Sequence, residues 1–571
     1  MNTLEKNSDL SINNIEQGKS PTYSENGSQA ETGGEKHLAY LDEDKKLHKD
    51  LKARHITMIA IGGALGTGLI IGTGSALAAA GPGSVFIAYL LVGLIVYDVM
   101  CALGEMAAYI PLPDGFVGYA TRYVDPALGF GVGYCYLFKY LLVCPNQLTA
   151  GALVMQYWVD RDTVNPGVWI TIILIAITSV NLFGVKKFGE IEFWLSVVKV
   201  ITCIGLIIFL FVIMLGGGPN GDRTGFRYWS DPGAFRPYKG IDGATGKFVA
   251  FSSVLVTAVF AFLGTELVGV TFGEAQNVKA IPKAIKLTFW RIALFYWLNI
   301  LLLGCCVAYN DPNLAFANQQ SSSAAASPFV VAAVSAGVKV LPDIINGCIL
   351  IFILSASNSD LYLSSRSLYS LAVNGLAPKC FAKTNKFGVP VYSLGVGCLF
   401  SCLAYMNVTD DSKKIFGYFV SVVSIFGLTA WITLLVSHIF FMKALKAQGV
   451  SRDTLLYKAP FQPWADYIAL FFTVLIALIK NFPVFLFGKF DYKTFITGYI
   501  GVPVYLICIF GYKFFIKSKM VKPEEADLET YRDVILREQE EHDREEEEKR
   551  AVRGDKKDWS WAYDKFFGWI F

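Results

Sequence analysis

Between residues 56 and 517 the chain is a succession of long apolar runs separated by short polar connections. The runs fall at 56–80, 84–110, 127–157, 167–184, 190–215, 249–275, 287–309, 329–356, 390–406, 415–442, 464–483 and 494–516. A membrane helix takes about 20 predominantly apolar residues, with a range of about 17–25. The pattern therefore predicts an all-α polytopic membrane protein with twelve transmembrane helices.

Two of these runs are interrupted. The stretch Ile61-Gly62-Gly63-Ala64-Leu65-Gly66-Thr67-Gly68-Leu69-Ile70-Ile71-Gly72-Thr73-Gly74 carries six glycines, each costing about 1 kcal/mol against alanine in a helix interior. Phe260-Ala261-Phe262-Leu263-Gly264-Thr265-Glu266-Leu267-Val268-Gly269 repeats the theme in the other half of the chain. Broken helices are tolerated at membrane depth where their freed backbone groups line a cavity rather than lipid. Two of them at matching places point to a transporter built from inverted repeats, with its substrate near the midplane. For either stretch alone, close helix packing through small residues would serve as well.

Charge fixes the expected orientation. Lys45, Lys46, Lys49, Lys52 and Arg54 precede the first run. Twelve spans then place Lys186 and Lys187, Lys279, Lys283 and Lys286, Arg366, Lys379, Lys383 and Lys386, and Lys443, Lys446 and Arg452 on that same side. The short opposite turns Gly81-Pro82-Gly83 and Asn310–Ser327 carry no Lys or Arg. Both termini are therefore expected in the cytoplasm.

Composition agrees: hydrophobic residues make up 54% and charged ones 17%, with a mean hydropathy of +0.44. The domain plan is a disordered tail at 1–50, a transporter domain at 51–517 and a charged tail at 518–571. Within the transporter, the repeats cover about 56–215 and 249–442, and the helices of 464–516 are peripheral. No cleavable signal peptide is visible ahead of the first run. The scattered cysteines, among them Cys203, Cys305, Cys306 and Cys348, show neither metal spacing nor a disulfide ladder and read as small core residues. Asn407-Val408-Thr409 matches a glycosylation sequon but lies against a span. The Trp559–Phe571 cluster is a candidate docking or trafficking element.

Ionisable residues inside spans are costly, about 2.5–3.5 kcal/mol each at a helix centre, and so mark function. Asp98, Glu105, Lys139, Lys199 and Glu266 qualify. Asp98 and Glu105 share one helix face, with Glu105 expected to reach the interface. Lys339 and Asp343 flank Leu341-Pro342 and mark a loop or a late start to the eighth span. Lys199 and Glu266 are the proton-coupling candidates, because a buried amine or carboxyl readily changes its protonation state; a fixed ion pair is the alternative for either. The amides of Gly66, Thr67 and Gly68 open the outer half of the first helix, and a helix N-terminus attracts a carboxylate. Unwound carbonyls beside it suit an ammonium. Together these groups suit an α-amino acid. No nucleotide loop, metal cluster or nucleophile–base arrangement appears, so the chain is not expected to be an enzyme and needs no cofactor beyond protons as the coupling ion.

These segments, together with Gly104-Glu105-Met106-Ala107, Glu274-Ala275-Gln276-Asn277 before Pro282-Lys283-Ala284, and Asn358-Ser359 before Ser364-Ser365-Arg366, resemble the fungal amino-acid permeases of the amino acid–polyamine–organocation superfamily. The resemblance covers about residues 50–571. It implies a LeuT-type 5+5 inverted repeat with helices 1 and 6 broken. It further implies that Gly66, Thr67 and Gly68 hold the substrate carboxylate, that Phe260 gates a site completed by Gly264 and Thr265, and that Lys199 stands where sodium binds in other relatives. Tyr136-Leu137-Phe138-Lys139-Tyr140 through Pro145-Asn146-Gln147-Leu148-Thr149 is similar to the dicarboxylic amino-acid permease branch; Asp98 departs from that pattern.

Lys139 and Asn146 are seven residues apart, so they lie close to one line along their helix, and Gln147 adjoins Asn146. A cation with amides at this site suits an anionic side chain; the alternative is that Lys139 snorkels or pairs with an acid such as Asp98. The expected activity is proton-coupled import of glutamate and aspartate across the plasma membrane, with weaker uptake of small neutral amino acids. A broad-range neutral permease and a transporter-like amino-acid sensor are the rival readings. Beyond substrate, protons and the bilayer, ubiquitin-ligase adaptors at the tails are the candidate partners.

Overall fold

The computed structural model describes residues 65–112, 114–183, 185–266, 281–312, 327–408, 412–486 and 490–530, with 314, 532, 537, 540 and 544. The N-terminal tail, residues 56–64 of the first span, Glu274–Asn277 and the Trp559–Phe571 cluster lie outside the described residues.

Among the described residues every regular element is helical. A π-helical turn, Gly68–Gly72, runs directly into α1, Thr73–Tyr109. From Gly68 onward the first two apolar runs thus form one helical stretch, interrupted at Gly81 (φ 81°, ψ 167°), a conformation that disfavours any residue with a Cβ. Pro82 follows and has no amide to donate. The long connection after the fifth span stitches this corner: Gly83 N donates to Ala234 O at 2.8 Å and Arg236 N donates to Ala80 O at 2.9 Å.

Next come α2 (Phe116–Tyr123), α3 (Pro126–Met155), α4 (Pro166–Leu182), α5 (Val185–Met214) and α6 (Gly243–Phe262). Asp125 caps α3, accepting from Ala127 N at 2.8 Å with Pro126 in the first turn. Beyond the second break lie α7 (Ile281–Arg291), a π-helical segment Ile292–Leu298 and α8 (Asn299–Cys306). They are followed by α9 (Pro328–Ser335), α10 (Leu341–Val373), α11 (Val391–Ser401), α12 (Ser412–Ala447), α13 (Trp464–Ile479), α14 (Tyr492–Tyr499) and α15 (Gly501–Ile516). The eighth span does start late, at Leu341. It also continues to Val373, well past the expected end at 356, because Ser357, Ser364 and Ser365 bond back to carbonyls of their own helix instead of breaking it.

Nine helices among the described residues are long and apolar enough to cross a membrane, and ten if the bent pair α14–α15 counts as one span. Burial sorts them. The apolar window of α12 is 83% buried and that of α3 is 72% buried, whereas those of α5, α11 and α13 are only 33% buried. The outer helices expose Ile172, Ile175, Trp194, Ile201, Ile208, Phe510 and Phe514, while Lys139, Lys199 and Glu266 are buried. Apolar outside and charged inside is the distribution of a chain solvated by lipid. Helix α3 is the hub, packed on α10, α12 and α15, and α1 packs along α6.

Glu105 departs from expectation. It is fully buried rather than at an interface. Arg452 grips it through Nε and Nη2 at 2.8 and 2.7 Å, and Ala459 N donates to it at 2.7 Å. His438 pairs with Asp466 at 2.6 Å, and Gln462 donates to Asp98 at 3.1 Å. Asp98 therefore belongs to a clamp that ties the α12–α13 connection to α1. Asn407 is likewise buried, donating to Thr149 Oγ1 at 2.8 Å, which removes it as a glycan acceptor.

Candidate substrate site

The two breaks meet. A Cβ built on Gly68 would lie 2.5 Å from Ala261 Cα and 3.0 Å from the Phe260 ring, and one on Gly72 would lie 3.0 Å from Thr257. Glycine at these positions lets the Gly68–Gly72 turn lie directly on α6. At Gly66, by contrast, an added Cβ meets nothing within 4 Å. The helix opens here: residues 65 and 66 are bends, and the π turn follows Thr67. Such wide turns leave carbonyls without their usual partners. Two are satisfied from elsewhere, Gly68 O by Tyr89 OH at 3.4 Å and Ile70 O by Ser327 at 2.9 Å.

The second break is made by Leu263, which leaves the helix with φ −63° and ψ 139°, and by Gly264 at φ 101°. Phe262, just before it, stacks on Tyr296 (4.4 Å between ring centroids) and touches Tyr89. Tyr296 OH donates to Ala261 O at 3.1 Å, so the ring stack and one hydrogen bond hold the end of α6. Thr265 Oγ1 turns back to Phe262 O at 2.9 Å. Phe260 packs edge-on against Phe416 of α12.

Four of the sequence-derived candidates are joined in pairs across helices. Thr67 Oγ1 donates to Gln147 Oε1 at 2.7 Å, linking the first break to α3. Lys139 Nζ forms a direct ion pair with Glu266 Oε1, linking α3 to the second break. Both members of that pair are 1% exposed. Glu266 Oε2 also accepts from Gly264 N at 3.0 Å, and the Lys139 ammonium sits 5.1 Å and 4.7 Å from the ring centroids of Tyr136 and Tyr140. Lys139 thus pairs with Glu266, not with Asp98. Asn146 is fully buried, and neither polar atom of its amide has a hydrogen-bond partner among the described residues. An orphaned buried amide costs about 1–3 kcal/mol, so it marks a place for a ligand or water.

Lys199 stands apart from these pairs. It lies 4.0 Å from Glu192 on its own helix and 5.9 Å from the Phe352 ring, and Glu192 accepts a short hydrogen bond from Ser355 of α10. The residue that connects the two halves of the polar interior is Asp360 of α10. It accepts from Gln147 Nε2 at 3.1 Å and interacts electrostatically with Lys139, Lys199 and Glu192. Sequence reasoning missed Asp360, because the eighth span was ended at 356, and missed Glu192. For Glu192 a signal existed: it precedes Lys199 by seven residues, two helical turns on one face.

The Gly68–Gly72 turn lies against α6, with the Thr67–Gln147 bond at the first break and the Lys139–Glu266 ion pair at the second, and this junction is the candidate substrate site. Residues 55–524 match the family model described as amino acid permease. The chain is 58% identical to the dicarboxylic amino acid permease of Saccharomyces cerevisiae, over 93% of this chain and 88% of that protein. It is 40% identical to the basic amino-acid permease of the same yeast, over 86% and 85% of the two chains. It is also 40% identical to that yeast's proline-specific permease, over 83% and 77%. These relatives are transporters, not enzymes, and the chain belongs to the amino acid permease family.

Proposed function

We propose that this chain is a proton-coupled symporter that imports acidic amino acids, glutamate and aspartate, with weaker uptake of small neutral ones. The observation that carries the reading is the buried Lys139 at the second break, on the same helix as the unsatisfied amide of Asn146, about two turns away. The likeness to a dicarboxylic amino acid permease at 58% identity points the same way. The amides of Gly66, Thr67 and Gly68 hold the α-carboxylate, Gly264 and Thr265 complete the backbone of the site, and Phe260 closes over it. Asn146 and Gln147 take the side-chain end. Lys199 and Glu266 handle protons.

The arrangement proposed is LeuT-type. Counting the Gly81 corner as a turn between two spans, and α4 and the bent pair α14–α15 as spans, gives twelve. The chain would lie in the plasma membrane with both termini in the cytoplasm, where ubiquitin-ligase adaptors could meet the tails. Glutamate with one proton moves no net charge; a second proton makes the step electrogenic and adds about 2.3 kcal/mol per 100 mV.

Radiolabelled glutamate uptake in a permease-deficient cell tests the proposal. Uptake should be faster at acidic outside pH, abolished by an uncoupler and indifferent to sodium. Sodium-dependent accumulation would refute the coupling ion.

A further inference from the structure

Lys139 is the cation assigned above to an acidic substrate, yet it is already engaged by Glu266. An ammonium has three donors. One goes to Glu266, and Tyr140 OH lies 3.5 Å from the same nitrogen. The rings of Tyr136 and Tyr140 flank it, their hydroxyls 3.1 Å apart. The side chain is therefore held in place by α3 itself, whatever happens to Glu266. Glu266 is held independently, by the Gly264 amide at the break.

Resting on the acidic-substrate reading, we propose that Lys139 serves two carboxylates in turn, Glu266 before loading and the substrate's side-chain carboxylate after it. The exchange requires a proton on Glu266. The charge balance forces this. Lys139 and Glu266 together are neutral, and the zwitterionic end of an amino acid adds no net charge. A side-chain carboxylate then adds one negative charge to a water-poor site, where two carboxylates around one ammonium repel strongly. Protonation converts the Glu266 carboxylate to a carboxylic acid and frees one lysine N–H for the substrate oxygen. The site ends as neutral as it began, and one proton has entered with the substrate. Serine or alanine, lacking the second carboxylate, leaves the pair intact and makes no such demand.

Other charged groups surround the pair. Asp360 on α10 faces Lys139, and Lys199 and Glu192 on α5 face Asp360. Tyr136 and Tyr140 on α3 also feel Glu266. Asp360 also disfavours a second carboxylate at Lys139, so the Asp360→Asn carrier, in which that charge is removed, is measured beside the wild type, and the pH dependence of the glutamate-to-serine ratio should persist in it.

The test is equilibrium binding of labelled glutamate and labelled serine to the purified full-length carrier between pH 5 and 8. Where Glu266 is ionised, the glutamate Kd should rise about tenfold per pH unit relative to the serine Kd, the signature of one linked proton. In Glu266→Gln, glutamate affinity should lose that dependence. Parallel pH curves for the two ligands in the wild-type carrier would overturn the exchange while leaving acidic-substrate transport standing. Binding of serine with no glutamate binding at any pH would overturn both. The wild-type ratio needs no variant, so the test survives a Glu266→Gln protein that fails to fold.

Discussion

Gly66 and Gly68 are two residues apart in the first break, and substitution should affect them for different reasons. At Gly68 an alanine methyl would lie 2.5 Å from Ala261 Cα and 2.9 Å from Ala261 N. Both are backbone atoms, so relief requires the two broken helices to separate by about 1 Å. Overpacking of this kind costs about 1–3 kcal/mol. At Gly66 the same methyl meets nothing within 4 Å. Gly66→Ala should therefore be neutral in stability or gain a few tenths of a kcal/mol by stiffening the unfolded chain. The assay is thermal denaturation of the detergent-solubilised carriers, paired with uptake at matched surface expression. Gly68→Ala should melt lower and transport less. Gly66→Ala should melt like the wild type, and the larger Gly66→Val should stop transport without lowering the melting point. A Gly68→Ala carrier as stable as wild type would refute the close approach of the two breaks. A Gly66→Val carrier with normal uptake would refute the assignment of those amides to the substrate.

Glu105→Gln should destabilise the carrier by about 1–3 kcal/mol, because the half-buried Arg452 guanidinium loses its carboxylate and keeps at most one acceptor oxygen; the double variant with Arg452→Met should recover part of the loss in the same melting assay. Lys199→Ala should abolish concentrative uptake while retaining substrate exchange, measured as counterflow in proteoliposomes, and a variant that still concentrates glutamate would exclude Lys199 from coupling. Burial disfavours the charge on Asp125, but Lys513, the Ala127 amide and Ser518 outweigh it and hold the carboxyl below its ordinary value. Its stabilising contribution is therefore complete above the ordinary carboxylate range, about pH 4, and is lost as pH falls through the lowered value. Asp125→Asn should melt lower than wild type at pH 7, with the gap closing in strong acid.

The apolar pattern carried the helical architecture because lipid imposes it directly: a span must be long, apolar and internally hydrogen-bonded. The two breaks were legible for the same reason, since Gly66–Gly68 and Gly264 violate that pattern where nothing cheap explains it. Partner choice was not legible. Lys139, Asp98, Glu105 and Glu266 all stood out as charges in apolar runs, but periodicity fixes only the face a residue occupies on its own helix. Which acid met Lys139 depended on packing α3 against the second break. The interface position expected for Glu105 failed because the α12–α13 connection folds back and supplies Arg452. Asp360 was hidden because the apolar run was ended at 356, whereas the helix continues to Val373 with the hydroxyls of Ser357, Ser364 and Ser365 satisfied by its own carbonyls.

The claim on which the account rests is that the site selects by substrate charge. Purified carrier in proteoliposomes, given an inward proton gradient and labelled glutamate, aspartate, serine or arginine, measures that selection directly. Glutamate and aspartate uptake should stand well above serine uptake, arginine uptake should be absent, and the Lys139→Ala carrier should lose glutamate uptake more than serine uptake. Equal loss of both in Lys139→Ala would make the lysine structural, and preferential arginine uptake by the wild-type carrier would contradict the account outright.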